Sequence, residues 1–516
     1  MVKKGHQHLN TKNFKMKRLS LKRSITLIIQ ILVFSSYYSQ NNILLERSFW
    51  KEKPSINTID SCIKAGNDPT ELNQFAFDAT SWAIIEDNPF ETIKYLTSID
   101  GNGVNKMTHD ARTYIFWAMY RDNLPLMNYL YDRGAKIDII DSHGYSLINF
   151  GAVTGQTNTA LYDFCVERGA VLKDQKNNDG ANPLLLVSPF MKDKNLINYF
   201  TSKGINIHEK DDNGDGIFNY ASKRGNEKML LNLIDLGVDY LKNEKSNSNA
   251  ILFATYGTRG YQNPLETYIF LDSLGIDPLV VTKSGETPLH NLALKTNDKE
   301  LINFFKEKNA NFNQISDEGD NPFMNACLRN DLEIINLFLK ETENINQKNN
   351  KGKSALSNAV SGNSYEIVDF LLKNGCDPSV VDDLGNNLIF LLVKSYKSGS
   401  YLEFEKKLAM LLAKNVKHSD TNLNGETILH LAIEKNNIML IEKLLNLGLD
   451  INSKDNNGVT PLHLAVMKAK NMSVIEFLLK NGADKNIKTL FGETVYDLAL
   501  ENEILNNLNV NIKILK

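Results

Sequence analysis

The amino-acid sequence predicts an all-α fold, a solenoid of stacked helix-turn-helix units joined by β-turn or hairpin connections. Three observations predict it. One octapeptide pattern recurs at a nearly constant period over most of the 516 residues. A helix-capping residue follows each recurrence at a fixed distance. A glycine or asparagine, suited to the left-handed residue at a helix end, then closes every unit but the one ending near Thr342.

The pattern is clearest in Gly458-Val459-Thr460-Pro461-Leu462-His463-Leu464-Ala465. It returns from Gly425 to Ala432 and from Gly285 to His290. Weaker copies begin at Gly144, Gly180, Gly214, Gly319, Gly352, Gly385 and Gly492, and Asn247 stands in for the glycine of one more. From residue 144 the steps are 36, 34, 33, 38, 34, 33, 33, 40, 33 and 34. Two fainter copies are expected near Phe75 and Asp110, because Ala83–Asn88 echoes Ala118–Asn123. A partial unit ends at Ala65-Gly66-Asn67-Asp68. Length alone suggests about three domains; the period replaces that with one array of about fourteen units.

Two positions after each anchor stand Ser146, Asn182, Gly216, Asn249, Thr287, Asn321, Ser354, Asn387, Thr427, Thr460 and Thr494, all N-cap formers. Pro183, Pro288, Pro322 and Pro461 follow at N1, where a missing N–H costs nothing. The second helix repeats apolar residues at i, i+3 and i+4, as in Ile438–Leu445. It ends at Gly134, Gly169, Gly204, Gly237, Gly275, Gly375, Gly448 or Gly482, or at Asn309 or Asn415. The unit ending near Thr342 lacks such a residue. Two long steps carry extra residues between their helices, Tyr256–Gln262 and Tyr396–Tyr401, either plain surface loops or added contact elements.

A period of about 33 with this wording resembles the ankyrin repeat. The resemblance covers nearly everything from residue 41 onward and is faintest before residue 140. It implies a β-turn and two antiparallel helices per unit, stacked into a curved solenoid. It also implies that His290, His430 and His463 are structural, bonding within their unit and toward the next. The expected organisation is a signal peptide over 1–40, degenerate repeats and a cap over 41–140, and a regular array with a C-terminal cap over 141–516.

The first forty residues contain eight Lys and Arg and no acid. Lys17–Arg23 is basic, Ile25–Phe34 apolar, and Ser35–Gln40 small or polar, the three-part order of a secretory signal. An apolar run of ten residues is too short to span a bilayer as a helix. Cleavage is expected near Ser39 or Gln40, and Met16 is a possible true start. The alternatives are an uncleaved anchor or a short buried helix. No Cys lies near the cut, which argues against a lipoprotein anchor. Beyond residue 40 the count is 50 basic to 61 acidic, a poor composition for sequence-independent nucleic-acid binding. The four cysteines have no metal spacing and are expected to be free.

Little in the chain suggests chemistry. No HExxH, Gly-x-Ser-x-Gly or Walker-type loop occurs. Asp211-Asp212-Asn213-Gly214-Asp215-Gly216 fits the opening of a calcium loop, but its twelfth position is Ser222 where a bidentate Glu is needed. Trp50, Trp82 and Trp117 suggest helix packing. The expected protein is a non-enzymatic, monomeric scaffold that binds a protein partner and needs no cofactor or metal. Its expected location is the periplasm or the envelope. An effector secreted toward a host, or a calcium- or small-ligand-binding module, is the alternative. Because the repeats run to the end of the sequence with no added sorting domain, retention in the periplasm is favoured.

The resemblance implies binding through turn tips, at −2, −1 and +1 from each anchor. The candidate residues are Ser142, His143 and Tyr145, then Asp179, Asp212, Asp215, Lys283 and Glu286. Asp317, Glu318, Asp320, Lys351, Lys353, Asp383, Leu384, Asn386, Asn457 and Phe491 follow. His109 and His143 are expected to be exposed at tips. Tyr145, Leu384, Leu490 and Phe491 resemble interface anchors, although Leu490 and Phe491 could instead pack the C-terminal cap.

Overall fold

The computed structural model describes residues 42–241, 243–507 and 510–516, so the signal-like segment lies outside the described residues. Two compact units are resolved, one up to Val187 with Leu196–Ile205, the other Ser188–Asn195 with Asn206–Lys516. Among the described residues every regular element is a helix, and extended pairing is limited to isolated bridges such as Ile140 with Ser146 and Lys348 with Ser354.

The first unit contains the helix pairs Ala79–Ile85 with Phe90–Ser98, Tyr114–Tyr120 with Leu124–Asp132, and Leu147–Val153 with Thr159–Val166. Its first two anchors are Ala76 and Ala111, each one residue beyond the place expected from sequence, at φ 59° and 57°. The echo between Ala83–Asn88 and Ala118–Asn123 is structural. Asp87 and Asp122 take φ of 53° and 54° after their helices. All three tryptophans pack. The indole N–H of Trp50 donates to Leu44 O at 2.8 Å, that of Trp82 to Leu45 O at 3.1 Å, and that of Trp117 to Thr108 Oγ1 at 2.8 Å.

The second unit places nine first helices side by side, from Ile217–Ser222 to Val495–Glu501, each packed on the next. All their N-termini therefore share one edge and all their C-termini the other. The caps follow the sequence: Asn249, Asn321, Ser354, Thr460 and Thr494 each accept a backbone N–H through the side chain. Gly216 occupies its N-cap without a side-chain bond. Between the helix layers Phe218, Phe305, Phe323, Phe338 and Phe390 are wholly buried, at about 1.5–3 kcal/mol each. Second helices end as expected, with Asn309 and Asn415 left-handed at φ 62° and 61°. Thr342 is extended instead, so its helix stops without that device.

Both long steps fall between the helices of their unit. Residues 257–263 form a loop pinned by a bridge between Thr258 and Tyr261. The other step leads into a second helix, Tyr401–Ala413, of 13 residues, the longest of the described helices. After Val495–Glu501 come two short helices, Glu503–Asn507 and Ile512–Leu515, which bury Leu505 and Leu515.

Candidate protein-binding surface

The glycine-anchored tips are turns closed by the residue three places before the anchor, and at Asn247 the closing residue is Asn243, four places before. Asp382 Oδ1 accepts the N–H groups of Leu384 and Asn386 at 2.9 Å each, and Asp455 Oδ1 those of Asn457 and Val459 at 2.8 Å. Asp141, Asn177, Asp211, Asn349 and Asn422 close their turns in the same way. An Asx side chain that mimics a backbone turn is the physical reason for this residue type. The sequence reading passed over this position although it repeats with the period.

In the second unit the tips are tied into a ladder. The N–H two places before an anchor donates to the carbonyl just before the preceding anchor, in seven rungs of 2.7–3.1 Å from Lys283–Ser246 to Leu490–Asn457. Close approach explains the glycines. A Cβ on Gly425, at φ 76°, would lie 2.4 Å from Asn456 Oδ1 and 2.8 Å from Asn456 N.

The opposite edge is tied by side-chain amides. Asn330 Nδ2 donates to Ala293 O at 2.9 Å and Thr296 O at 2.8 Å. Asn363 repeats this on Cys327 O and Asn330 O, and Asn502 on Val466 O and Ala469 O. In the unit with the longest helix the donor is Lys407, buried and bonded to Val360 O and Asn363 O.

His290 and His430 bond as the resemblance implied. Each Nδ1 meets its N-cap threonine hydroxyl, at 2.8 and 2.9 Å, and each Nε2 reaches a carbonyl of the next tip at 3.1 Å. His463 keeps the threonine contact at 2.8 Å. Burial pushes all three imidazoles below their ordinary value. The unfolded chain then takes up protons first as pH falls through about 6.5. Their contribution to stability is therefore complete above that value and declines below it, until the folded imidazoles protonate in turn. The melting temperature should fall between about pH 7.5 and pH 5. The slope should be shallower in a variant with all three replaced by Gln, read by calorimetry.

The candidate tip residues divide by exposure. Ser142, His143, Asp179, Asp212, Lys283, Glu286, Asp317, Glu318, Lys351, Asp383, Leu384, Asn457 and Phe491 are exposed, whereas Asp320 and Lys353 are half-buried. Three depart from the expectation. Asp215 is buried, its Oδ1 accepting from Asn219, Asn243 and Ser248. Asn386 is buried between Asp382 and Asn422. Tyr145 is half-buried, and burial raises its hydroxyl above the ordinary phenol value. His109 is also not a free tip: its Nδ1 contacts Phe75 O at 2.8 Å and its ring stacks on Phe77 at 4.4 Å. His143 Nε2 meets Asp110 Oδ2 at 3.2 Å.

Leu490 and Phe491 are 76% and 81% exposed, so they do not pack the cap. Leu423, at 69%, neighbours Leu384, at 52%, through their shared rung, and was missed from the sequence. In the calcium-like segment Asp211 Oδ1 is occupied by two N–H groups and Oδ2 by the Tyr220 hydroxyl at 2.8 Å. These carboxylates serve the turn. All four cysteines are free; burial raises the Cys165 thiol to about 12 and Cys376 to about 11. No described helix is long and apolar enough to cross a membrane.

In the second unit, stacked helix pairs, a ladder of glycine-anchored tips and N-cap threonines bonded to buried histidines define an ankyrin-repeat fold. Comparison with known proteins agrees: residues 261–349, 289–382 and 397–489 match the family described as ankyrin repeats (3 copies). The chain is 34% identical over 131 residues to an IkB-like protein of African swine fever virus, covering 24% of this chain and 54% of that protein. It is 30% identical over 127 residues to palmitoyltransferase AKR1 of Lachancea kluyveri, covering 25% and 17%. It is 35% identical over 88 residues to ADP-ribosylation factor GTPase-activating protein AGD2 of Arabidopsis thaliana, covering 17% and 11%. The chain thus spans about half, or less, of the length of these relatives. Repeats of this kind mark a protein–protein interaction module.

Proposed function

We propose that this chain is a non-enzymatic scaffold, exported to the periplasm or envelope, that holds one protein partner along its tip ladder. The observation that carries this reading is the set of exposed apolar side chains on three of the last four tips. Leu384, Leu423, Leu490 and Phe491 stand 52–81% exposed on a backbone fixed by rungs of 2.8–2.9 Å and by their turns. Apolar side chains on a rigid frame lose little entropy on binding and suit interface anchors. The basic, apolar and small-residue order of residues 17–40 supports export.

The relatives include a transferase and a GTPase-activating protein, but the matches cover 17% and 11% of those proteins. Their activities are not carried over. The test is crosslinking capture from envelope extract with residues 41–516, set against a Leu384→Ala, Leu423→Ala, Phe491→Ala variant. One protein enriched on the wild type and reduced at least about tenfold on the variant is expected, as for loss of hot-spot residues. Equal recovery would overturn the tip surface.

A further inference from the structure

The second unit carries opposite charge on its two edges. From three places before each anchor to one place after, its tips hold 13 Asp and Glu against four Lys and Arg. From the last two residues of each first helix to the start of the second, the opposite edge holds ten Lys and Arg against four Asp and Glu. Part of this polarity complements the backbone, because helix N-termini face the tips and C-termini the other edge. That effect fades within one turn. Arg259, Lys397 and Lys470 lie outside the helices, in exposed loops.

Two of these three cations, Arg259 and Lys397, lie in the long steps, so the inserted residues add charge of the same sign to the same edge. They also add shape. The guanidinium of Arg224 lies 4.6 Å from the Tyr261 ring and 5.2 Å from Phe190, and Lys223 Nζ lies 4.4 Å from Tyr220. At the second insertion a cleft of about 670 Å³ opens among Leu328, Arg329, Tyr396, Lys397, Phe404 and Glu403, whose carboxylate is engaged by the Tyr365 N–H and the Lys407 ammonium. Cations beside aromatic and aliphatic walls suit a ligand that alternates negative charge with apolar side chains.

We propose that this basic edge, distinct from the tips, is a second docking surface and that it takes an acidic segment of polypeptide bearing aromatic or aliphatic residues. A polypeptide is narrow enough to lie along one edge. A nucleic-acid duplex or a membrane surface presents a broad field of negative charge, which the 13 tip carboxylates of the same unit oppose.

The test uses the full chain with a fluorescein-labelled copolymer of Glu and Tyr, read by fluorescence anisotropy. Saturable, salt-sensitive binding is expected. Arg259→Glu with Lys397→Glu should weaken it at least about tenfold, and Lys470→Glu by a smaller factor, at unchanged melting temperature. Asp317→Lys with Asp383→Lys, on the tips, should leave it equal or tighter. Absence of binding, insensitivity to the edge variants, or tighter binding to single-stranded DNA or phosphatidylserine vesicles would overturn the proposal. A failed capture through the tips would leave this result untouched, so the two surfaces fail separately.

Discussion

Gly425→Ala is expected to be among the most damaging single substitutions in the array. The residue sits at φ 76°, where an L side chain costs about 1–2 kcal/mol. The added methyl would also stand 2.4 Å from Asn456 Oδ1 and 2.8 Å from Asn456 N. That N–H makes the 2.9 Å rung to Asn424 O, and Asn456 Nδ2 donates to Leu423 O at 2.8 Å, so both bonds must yield. A loss of about 3 kcal/mol follows when strain and the displaced bonds are taken together. Gly482→Ala is the control. Its φ is 93°, but nothing lies within 4 Å of its added carbon, so only backbone strain of about 1 kcal/mol remains. Urea unfolding with hydrogen exchange would separate the two. Protection should drop around Asn456 in the first variant and not in the second. Equal losses would mean that close approach of the tips contributes nothing.

Asn330→Ala should be of similar size for a different reason. Asn330 is 8% exposed, and its amide donates to Ala293 O and Thr296 O at the end of their helix. Truncation leaves two carbonyls without that donor, and an unsatisfied buried acceptor costs about 1–3 kcal/mol. The expected loss is about 3 kcal/mol, concentrated at one interface because each repeat contacts only its neighbours. Exchange should therefore quicken in Pro288–Lys295 and Pro322–Arg329 before the rest of the second unit. Asn374→Ala is the matched control. Its exposed amide bonds only within its own helix, and a change within about 0.5 kcal/mol is expected. A uniform change across the unit in Asn330→Ala would refute the local clamp.

The parts of this fold that were legible in the sequence are those where a residue answers a local backbone demand. A left-handed residue after a helix needs Gly or Asn, and Gly448, Asn309 and Asn415 could be read for that reason. The N-cap threonines and N1 prolines were legible for the same cause. The clamps were not. Asn330 and Asn363 stand at the C-caps of their first helices yet serve carbonyls 33–37 residues away, and an asparagine at a C-cap carries no local sign of such a bond. Exposure was the other weak point. Asp215 and Asn386 sit at tip positions, yet the next tip supplies Ser248 and Asn422 to cover them. Tyr145 is withdrawn from solvent despite its tip position. Leu423 and Leu384 became neighbours only once the rung between them was seen.

Lys407 shows how such an array can change length without losing its register. In the neighbouring repeat the clamp is asparagine, whose amide reaches two carbonyls from the mouth of the second helix. The extra residues before Tyr401 move the chain away from that point, and a lysine on the second turn of the longer helix reaches the equivalent pair of acceptors instead. The rule is transferable. A segment can be grafted between the helices of a repeat, wherever a new contact is wanted, if a donor with an arm of matching reach is grafted with it. Evolutionary tinkering and protein engineering would then share one constraint at this edge, the reach of a hydrogen-bond donor rather than the length of a loop.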